Sequence, residues 1–168
     1  MTLFRVEDWD DAYANGANIP GGEKWPGAWE GPAADYRRLA GNTARLDLPY
    51  GEHSREKLDL FLPKETPKGL VVFVHGGFWM RLDKSYWSHL AAGAVSTGWA
   101  VAMPSYPLCP EVRVRDITQC IARAVTLAAA QVEGPIRLSG HSAGGQIVTR
   151  LICGGTGLPE PVLGRIER

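Results

Sequence analysis

The sequence is poor in cysteine, carries no net charge and has no long apolar run. Only three cysteines occur, Cys109, Cys120 and Cys153, and none of them forms a C-x-x-C pair. An odd number without that spacing argues against a disulfide framework and indicates a reduced compartment. Eighteen basic residues balance eighteen acidic ones, which gives no electrostatic reason to expect nucleic acid or an anionic membrane as a partner.

Two further absences predict a cytoplasmic protein. The N-terminal MTLFRVEDWDD has acidic residues where a signal peptide has an apolar run. The longest apolar helical pattern, residues 121–132, contains Arg123 and is too short to span a bilayer. No metal-ligand pattern and no cofactor motif occurs, so we expect neither a metal nor a cofactor. The sequence leaves the oligomeric state open.

Composition divides the 168 residues into two regions. Residues 1–40 include GANIPGGEKWPGAWEGP, in which no helical or strand period persists, so we predict an irregular N-terminal arm. Trp25 and Trp29 are large surfaces to leave in water, and the arm is therefore expected to pack on the rest of the chain. Residues 41–168 are predicted to form one domain.

Strand and helix patterns alternate through that domain. Two short strand-like runs, 46–50 and 58–62, are separated by a polar turn and predict an antiparallel hairpin. Further strands are predicted at 70–74, 99–103 and 136–139, and helices at 85–97, 112–132 and 143–153. This order predicts an α/β fold with a mostly parallel sheet and helices on both faces. Sites in such folds lie beyond the carboxyl ends of the strands.

One motif at such a strand end predicts a nucleophile. Residues 140–144 read Gly-His-Ser-Ala-Gly between a predicted strand and a predicted helix, which is the context of a nucleophile elbow. In that turn Ser142 exposes its hydroxyl from a strained backbone, and Gly140 and Gly144 leave no room for a Cβ. The helix that begins at Ala143 would point free N–H groups at developing negative charge.

Two other interpretations fit parts of the same motif. Ser142 could merely cap the helix while the glycines turn the chain. A dinucleotide-binding loop would need G-x-G-x-x-G after the first strand, and Gly140, Gly144 and Gly145 have the wrong spacing. The strand–turn–helix context favours the nucleophile, and His141 is then expected to point away from the reacting centre.

A second motif predicts an oxyanion hole. His75-Gly76-Gly77-Phe78-Trp79 directly follows the predicted strand 70–74, where esterases place an oxyanion loop. Its glycines would let backbone N–H groups approach a tetrahedral oxygen, and one such donor is worth about 10²–10³ in rate. His75 is expected to support the loop through hydrogen bonds rather than to act as the base. Phe78 and Trp79 would crowd the acyl side of a substrate pocket.

Three segments together resemble the kynurenine formamidase branch of the α/β hydrolases, a neighbour of the hormone-sensitive-lipase-like esterases. They are HGGFW at 75–79, SYPLCP at 105–110 and GHSAGG at 140–145, and DDAYANGA near the start also looks similar. The esterase loop reads HGGG, whereas Phe78 is aromatic, as in the formamidase branch. The resemblance implies a three-layer α/β-hydrolase fold.

The resemblance also implies functional residues. Ser142 matches the nucleophile, and the N–H groups of Gly77, Phe78 and Ala143 match the oxyanion hole. In that family the acid and the histidine follow the serine, but neither Asp nor His follows Ser142 here. We therefore expect a C-terminally truncated domain, inactive alone, from an enzyme that hydrolyses a small acyl amide.

The substrate that the resemblance favours is N-formylkynurenine. A carboxylesterase or thioesterase that acts on small esters is the alternative. A third possibility is a catalytically inactive chain that binds a ligand or a partner without turnover.

Overall fold

A five-stranded mixed sheet forms the centre of the fold in the computed structural model, which describes residues 5–167. The strands in chain order are β1 (Ala44–Pro49), β2 (Lys57–Phe61), β3 (Leu70–Val74), β4 (Ala100–Pro104) and β5 (Ile136–Gly140). Their spatial order is β1-β2-β4-β3-β5; β3 is parallel to β4 and β5, whereas β2 is antiparallel to β1 and β4. The predicted hairpin, the three later strands and the α/β class are confirmed.

Helices cover both faces of this sheet. In chain order they are α1 (Trp9–Tyr13), α2 (Asn15–Asn18), α3 (Trp25–Ala40), α4 (Ala91–Ser96), α5 (Val114–Gln131), α6 (Ala143–Leu151) and α7 (Glu160–Leu163). Helices α5 and α6 pack on one face, in the core that contains Val72 and Val74. Helices α3 and α4 pack on the other face, beside Val101 and Met103. The three-layer arrangement is thus confirmed.

The alternation of side chains along β3 explains why its sequence is apolar throughout. Successive side chains of a strand point to opposite faces, so Leu70 and Val72 enter the α5–α6 core while Val71 and Phe73 pack against the α3–α4 layer. Burial of one such side chain contributes about 1.5–3 kcal/mol. A strand covered on both sides therefore needs an apolar residue at every position.

The prediction of an irregular arm is wrong, because the short helices α1 and α2 lie in its first half and a long helix fills its second half. Residues 25–40 form the 16-residue helix α3, in which Pro26 occupies the first turn, where a missing N–H costs nothing. Gly27, Gly31 and Pro32 weaken the helical pattern in the sequence, so propensity alone does not reveal this helix. Residues 1–4, at the start of the predicted arm, and Arg168 lie outside the described residues.

Aromatic contacts stabilise α3 on the domain. The Trp29 ring lies 4.5 Å from the Trp87 ring, and the Tyr36 ring lies 5.3 Å from the Phe61 ring. The expected packing of the arm is therefore found at Trp29, whereas Trp25 remains 56% exposed. Tertiary contacts thus determine the helix that the local sequence does not predict.

The segment predicted as one helix over 85–97 is divided. Two short 3-10 turns, Lys84–Tyr86 and Ser88–Leu90, precede α4. The Arg37 guanidinium donates to the Ser85 carbonyl at 2.5 Å and to the Ser88 hydroxyl at 2.7 Å, which links these turns to α3.

Strand β5 lies at one edge of the sheet. Its first residue, Ile136, donates its N–H to the Arg165 carbonyl at 2.8 Å and accepts from the Glu167 N–H at 2.9 Å. Beyond Ile136, no strand among residues 5–167 pairs with the outer side of β5. No helix within that range is both long and apolar enough to cross a membrane.

Candidate active site

The turn between β5 and α6 holds Ser142 in an unusual backbone conformation. Its φ is 51° and its ψ is −117°, a region that costs a non-glycine residue about 1–3 kcal/mol. The side chain is exposed and makes no capping hydrogen bond to α6. The interpretation of Ser142 as a helix cap is therefore wrong, and its hydroxyl is free for a ligand.

Two glycines make this turn sterically possible. A Cβ placed on Gly140 would lie 2.6 Å from the Gly145 nitrogen and would overlap the Gly144 carbonyl. A Cβ on Gly144 would lie 2.6 Å from the His75 oxygen and would overlap the Val74 carbonyl. The closeness of β3, β5 and α6 at this point therefore requires glycine at both positions.

The loop after β3 lies directly beside Ser142. A Cβ built on Gly76 would lie 3.2 Å from the Ser142 Cβ and 2.7 Å from the His141 Nδ1. The next three residues all have positive φ: 117° at Gly77, 56° at Phe78 and 58° at Trp79. Such a run of left-handed residues indicates a loop whose backbone is held for a purpose other than a simple turn.

Backbone donors in this region have no partner. Among residues 5–167, the N–H groups of Gly77, Phe78 and Ala143 donate to no carbonyl in the turns, loops or caps. Ala143 is the first residue of α6, where an N–H has no partner within the helix. These three N–H groups are therefore left without a partner in the described part of the chain.

His75 lies beneath this loop and holds it in place. Its Nδ1 donates to the Gly76 carbonyl at 2.7 Å, and its ring stacks on Tyr106 at 4.2 Å. The Tyr106 hydroxyl donates to the His75 carbonyl at 2.9 Å. Burial lowers the pKa of His75 to about 4, so the ring is neutral at pH 7, with Nδ1 as the donor.

The buried His75 predicts a loss of stability in mild acid. The folded chain protonates His75 only near pH 4, whereas the unfolded chain does so near 6.5. Above pH 6.5 the titration of His75 therefore costs the folded chain no stability. As the pH drops from 6.5 towards 4, the free energy of unfolding falls by about 1 kcal/mol per pH unit. Urea denaturation at pH 7 and pH 5 measures this loss of unfolding free energy. The comparison protein is His75→Asn, whose side chain keeps a donor near the position of Nδ1. The stability difference between the two proteins should narrow at pH 5; a constant difference would contradict this assignment.

None of the side-chain hydrogen bonds that histidine rings make within residues 5–167 reaches Ser142. His75 is buried and uses Nδ1 on the Gly76 carbonyl, and His53 pairs with Glu111 at 3.0 Å. His141 is exposed at the elbow, and its ring lies 5.0 Å from the Trp87 ring. The site therefore contains a serine and free donors without a paired histidine.

An open pocket of about 500 Å³ adjoins Ser142. Its walls come from residues 15–29, from the loop 77–82, from Trp87 and from His141. Phe78 lines this pocket, but Trp79 does not, because its side chain packs against the α5–α6 core. The prediction that Trp79 crowds the acyl side is thus corrected.

Sequence reasoning missed several residues of this pocket. Arg81 and Leu82 line it beyond the glycine loop, and Ile19 and Trp25 line it from the N-terminal region. The only signal for the N-terminal wall was the unusual density of tryptophan there. No motif marked Arg81.

Comparison with known proteins identifies relatives of this chain. A family model described as alpha/beta hydrolase fold matches residues 71–156. The kynurenine formamidase of Danio rerio is 32% identical over 111 residues, which cover 64% of this chain and 38% of that protein. The chain thus spans about two-fifths of the length of this curated relative.

Two solved structures are also similar. A protein from Silicibacter sp. TM1040, provisionally assigned as a thioesterase, is 59% identical with a TM-score of 0.90, and the match covers 94% of this chain and 60% of that one. Esterase B from Lactobacillus rhamnosis, inhibited by a tributyrin phosphonate, is 23% identical with a TM-score of 0.59, and the match covers 78% of this chain and 48% of that one. At that identity the second likeness shows the fold alone.

Proposed function

The chain belongs to the α/β-hydrolase fold family, and from that membership we propose that Ser142 is the nucleophile of a serine hydrolase. The observation that carries this proposal is the exposed Ser142 hydroxyl at φ 51°, beside N–H groups of Gly77, Phe78 and Ala143 that have no backbone partner. A hydroxyl next to unpaired donors is the arrangement that acyl transfer requires.

The reaction proceeds in two steps. The Ser142 oxygen attacks the substrate carbonyl while a base removes its proton, and the resulting oxyanion accepts hydrogen bonds from the loop and from Ala143. The leaving group takes a proton, and water then hydrolyses the acyl-enzyme. We place the base outside these 168 residues, because no histidine follows Ser142 and none of the earlier ones hydrogen-bonds to it. The chain alone is therefore inactive.

The substrate is a small acyl amide or ester, and an aryl formamide such as N-formylkynurenine fits best. The 32% identity to the Danio rerio kynurenine formamidase supports the formamide. Phe78, beside the donors, restricts the acyl side of the pocket. A short ester or thioester is the second candidate, which the 59% identity to the Silicibacter protein supports.

Covalent labelling tests the nucleophile. Residues 1–168 replace the matched 60% of the Silicibacter protein, and the rest of that protein is the proposed source of the base. A fluorophosphonate probe is expected to modify Ser142, as read by peptide mass. Ser142→Ala should abolish the label, whereas Ser139→Ala, an exposed serine on β5, should keep it. Labelling that persists in Ser142→Ala would refute the proposal.

Substrate choice is tested on the same hybrid chain. The kcat/KM values for a formyl-aryl amide, a short aryl ester and a short thioester are compared. A preference for the formyl-aryl amide supports the formamidase assignment, and a preference for the thioester supports the alternative.

A further inference from the structure

The loop 75–82 carries two of the proposed oxyanion donors on a strained backbone. Four of the residues 77–82 have positive φ, and Phe78, Trp79 and Leu82 among them are not glycine. Such conformations persist only where the surrounding structure holds them in place. His75 anchors the start of this loop through its ring and its carbonyl. Contacts at the other end, near Leu82, therefore decide whether the strained conformation is kept.

The segment 105–109 runs beside the loop and supports it. The Tyr106 hydroxyl donates to the His75 carbonyl at 2.9 Å, and the Cys109 N–H donates to the Trp79 carbonyl at 2.8 Å. Tyr106 is fully buried, so this segment is a fixed support. Its own hydrogen bonds reach the start and the middle of the loop.

The Arg55 guanidinium links this support to the end of the loop. Its Nε donates to the Tyr106 carbonyl at 2.8 Å, and its Nη2 donates to the Leu82 carbonyl at 2.5 Å. Arg55 takes part in none of the salt bridges within residues 5–167. Because the donors of a guanidinium stand in a rigid planar fork, one side chain fixes two carbonyls of separate segments relative to each other.

Arg55 itself projects from a rigid turn between β1 and β2. Its N–H donates to the His53 Nδ1 at 3.1 Å, and the Glu56 N–H donates to the His53 carbonyl at 2.8 Å. Both strands belong to the central sheet. The side chain of Arg55 therefore ties the end of the loop to the sheet.

We propose that Arg55 is a positioning residue of the active site. By fixing the Leu82 carbonyl, it holds the loop in the conformation in which the N–H groups of Gly77 and Phe78 meet the oxyanion. The inference rests on the proposed function, in which these N–H groups stabilise the tetrahedral intermediate. Arg55 does not line the pocket beside Ser142, so it acts through the loop and not on the substrate.

The kinetics of covalent labelling separate positioning from binding. On the hybrid with the Silicibacter protein, the dependence of labelling rate on fluorophosphonate concentration gives KI for binding and kinact for attack by Ser142. Loss of one oxyanion donor costs about 10²–10³ in rate, and Arg55→Gln, which displaces donors without removing them, should lower kinact by about 10- to 100-fold. KI should stay within about twofold, because an interaction made only in the transition state does not change binding.

A second arginine provides the control for a loss of stability. The Arg165 guanidinium donates to three backbone carbonyls near the end of α5, at 2.5–2.8 Å. Arg165 lies beside Ile136, at the opposite end of β5 from Ser142. Arg165→Gln therefore also takes a guanidinium from backbone carbonyls and should lower Tm, but it should leave kinact unchanged.

Chemical rescue tests the guanidinium group itself. Arg55 lines an open cavity of about 350 Å³, through which a small cation can reach the position that Arg55→Ala vacates. Ethylguanidinium should restore part of kinact, whereas ethylammonium should not, because it has no planar fork. Lys57→Gln removes another charge from the lining of this cavity and should leave kinact unchanged.

Amide hydrogen exchange detects the loop contact without any reaction. The Met80 and Arg81 N–H groups donate to the Gly77 carbonyl at 3.0 Å. In the 168-residue chain, Arg55→Gln should make both amides exchange about tenfold faster, because local opening of the loop becomes easier. Arg165→Gln should not change them.

Three outcomes would overturn the inference: kinact is unchanged in Arg55→Gln, kinact falls equally in Arg165→Gln, or exchange in the loop is unchanged in Arg55→Gln. The two proposals fail separately. If Ser142 is labelled in the parent hybrid but Arg55→Gln labels equally fast, only the positioning role is refuted. If Ser142 is never labelled, the proposed reaction is refuted, and hydrogen exchange still decides whether Arg55 holds the loop.

Discussion

Valine in place of Gly140 is expected to lower the free energy of unfolding by about 1–3 kcal/mol or more, the range for forced backbone strain. Any Cβ at this position lies 2.6 Å from the Gly145 nitrogen and overlaps the Gly144 carbonyl. Both neighbours are backbone atoms in the first turn of α6, so no change of rotamer relieves the clash. Urea denaturation followed by circular dichroism measures the loss.

A matched pair in α6 separates this clash from a general effect of replacing glycine. Gly144→Ala places its Cβ 2.6 Å from the His75 oxygen, whereas Gly145→Ala meets only the Gly140 oxygen, at 3.4 Å. Both positions lie in the same helical turn, so alanine adds a similar gain in helix propensity, about 1 kcal/mol, at each. Gly145→Ala should therefore be neutral or stabilising, and Gly144→Ala strongly destabilising. Equal stability of the two variants, or an unchanged stability of Gly140→Val, would show that the elbow is not tightly packed.

The elbow could be predicted because its requirements are local. Five consecutive residues contain both glycines and the serine, and the neighbouring strand and helix have clear apolar periods. The buried face of α5 could be predicted in the same way, because Ile117, Ile121 and Val125 recur at helical spacing. All three are fully buried. In both places the sequence neighbours of a residue determine its surroundings.

The walls of the pocket could not be predicted because they depend on distant contacts. Helix α3 contains Gly27, Gly31 and Pro32, and it is stabilised by Trp29 against Trp87, nearly sixty positions later in the chain. Contacts between residues so far apart in the chain produce no periodic pattern of apolar residues in the sequence.

The sequence also does not predict the directions of the side chains in the loop 77–82. Three consecutive positive φ angles at residues 77–79 direct Phe78 into the pocket and Trp79 into the core. The letters HGGFW do not reveal which of the two aromatic residues faces a substrate. Arg81 enters the pocket through the same loop and was missed for the same reason.

Turnover is expected to depend on residues outside this chain. Residues 5–167 contain Ser142 and free donors but no histidine hydrogen-bonded to Ser142, and serine without a base is a weak nucleophile at neutral pH. Loss of the base alone costs about 10⁶ in kcat in a serine hydrolase. The isolated chain should therefore show no hydrolysis of a formyl-aryl amide or a short ester under conditions in which the hybrid with the Silicibacter protein is readily assayed.

The residual activity of the isolated chain, if any, identifies where a base could come from. An oxyanion hole alone retains about 10³–10⁴ over water, and such a background should be unaffected by His141→Asn. Rapid turnover by the isolated chain that disappears in Ser142→Ala would contradict the prediction. His141 would then be the first candidate for the base, because it is exposed at the elbow and lines the pocket, whereas His75 is buried and already bonded to the Gly76 carbonyl. Loss of that turnover in His141→Asn, with retention in His75→Asn, would establish it.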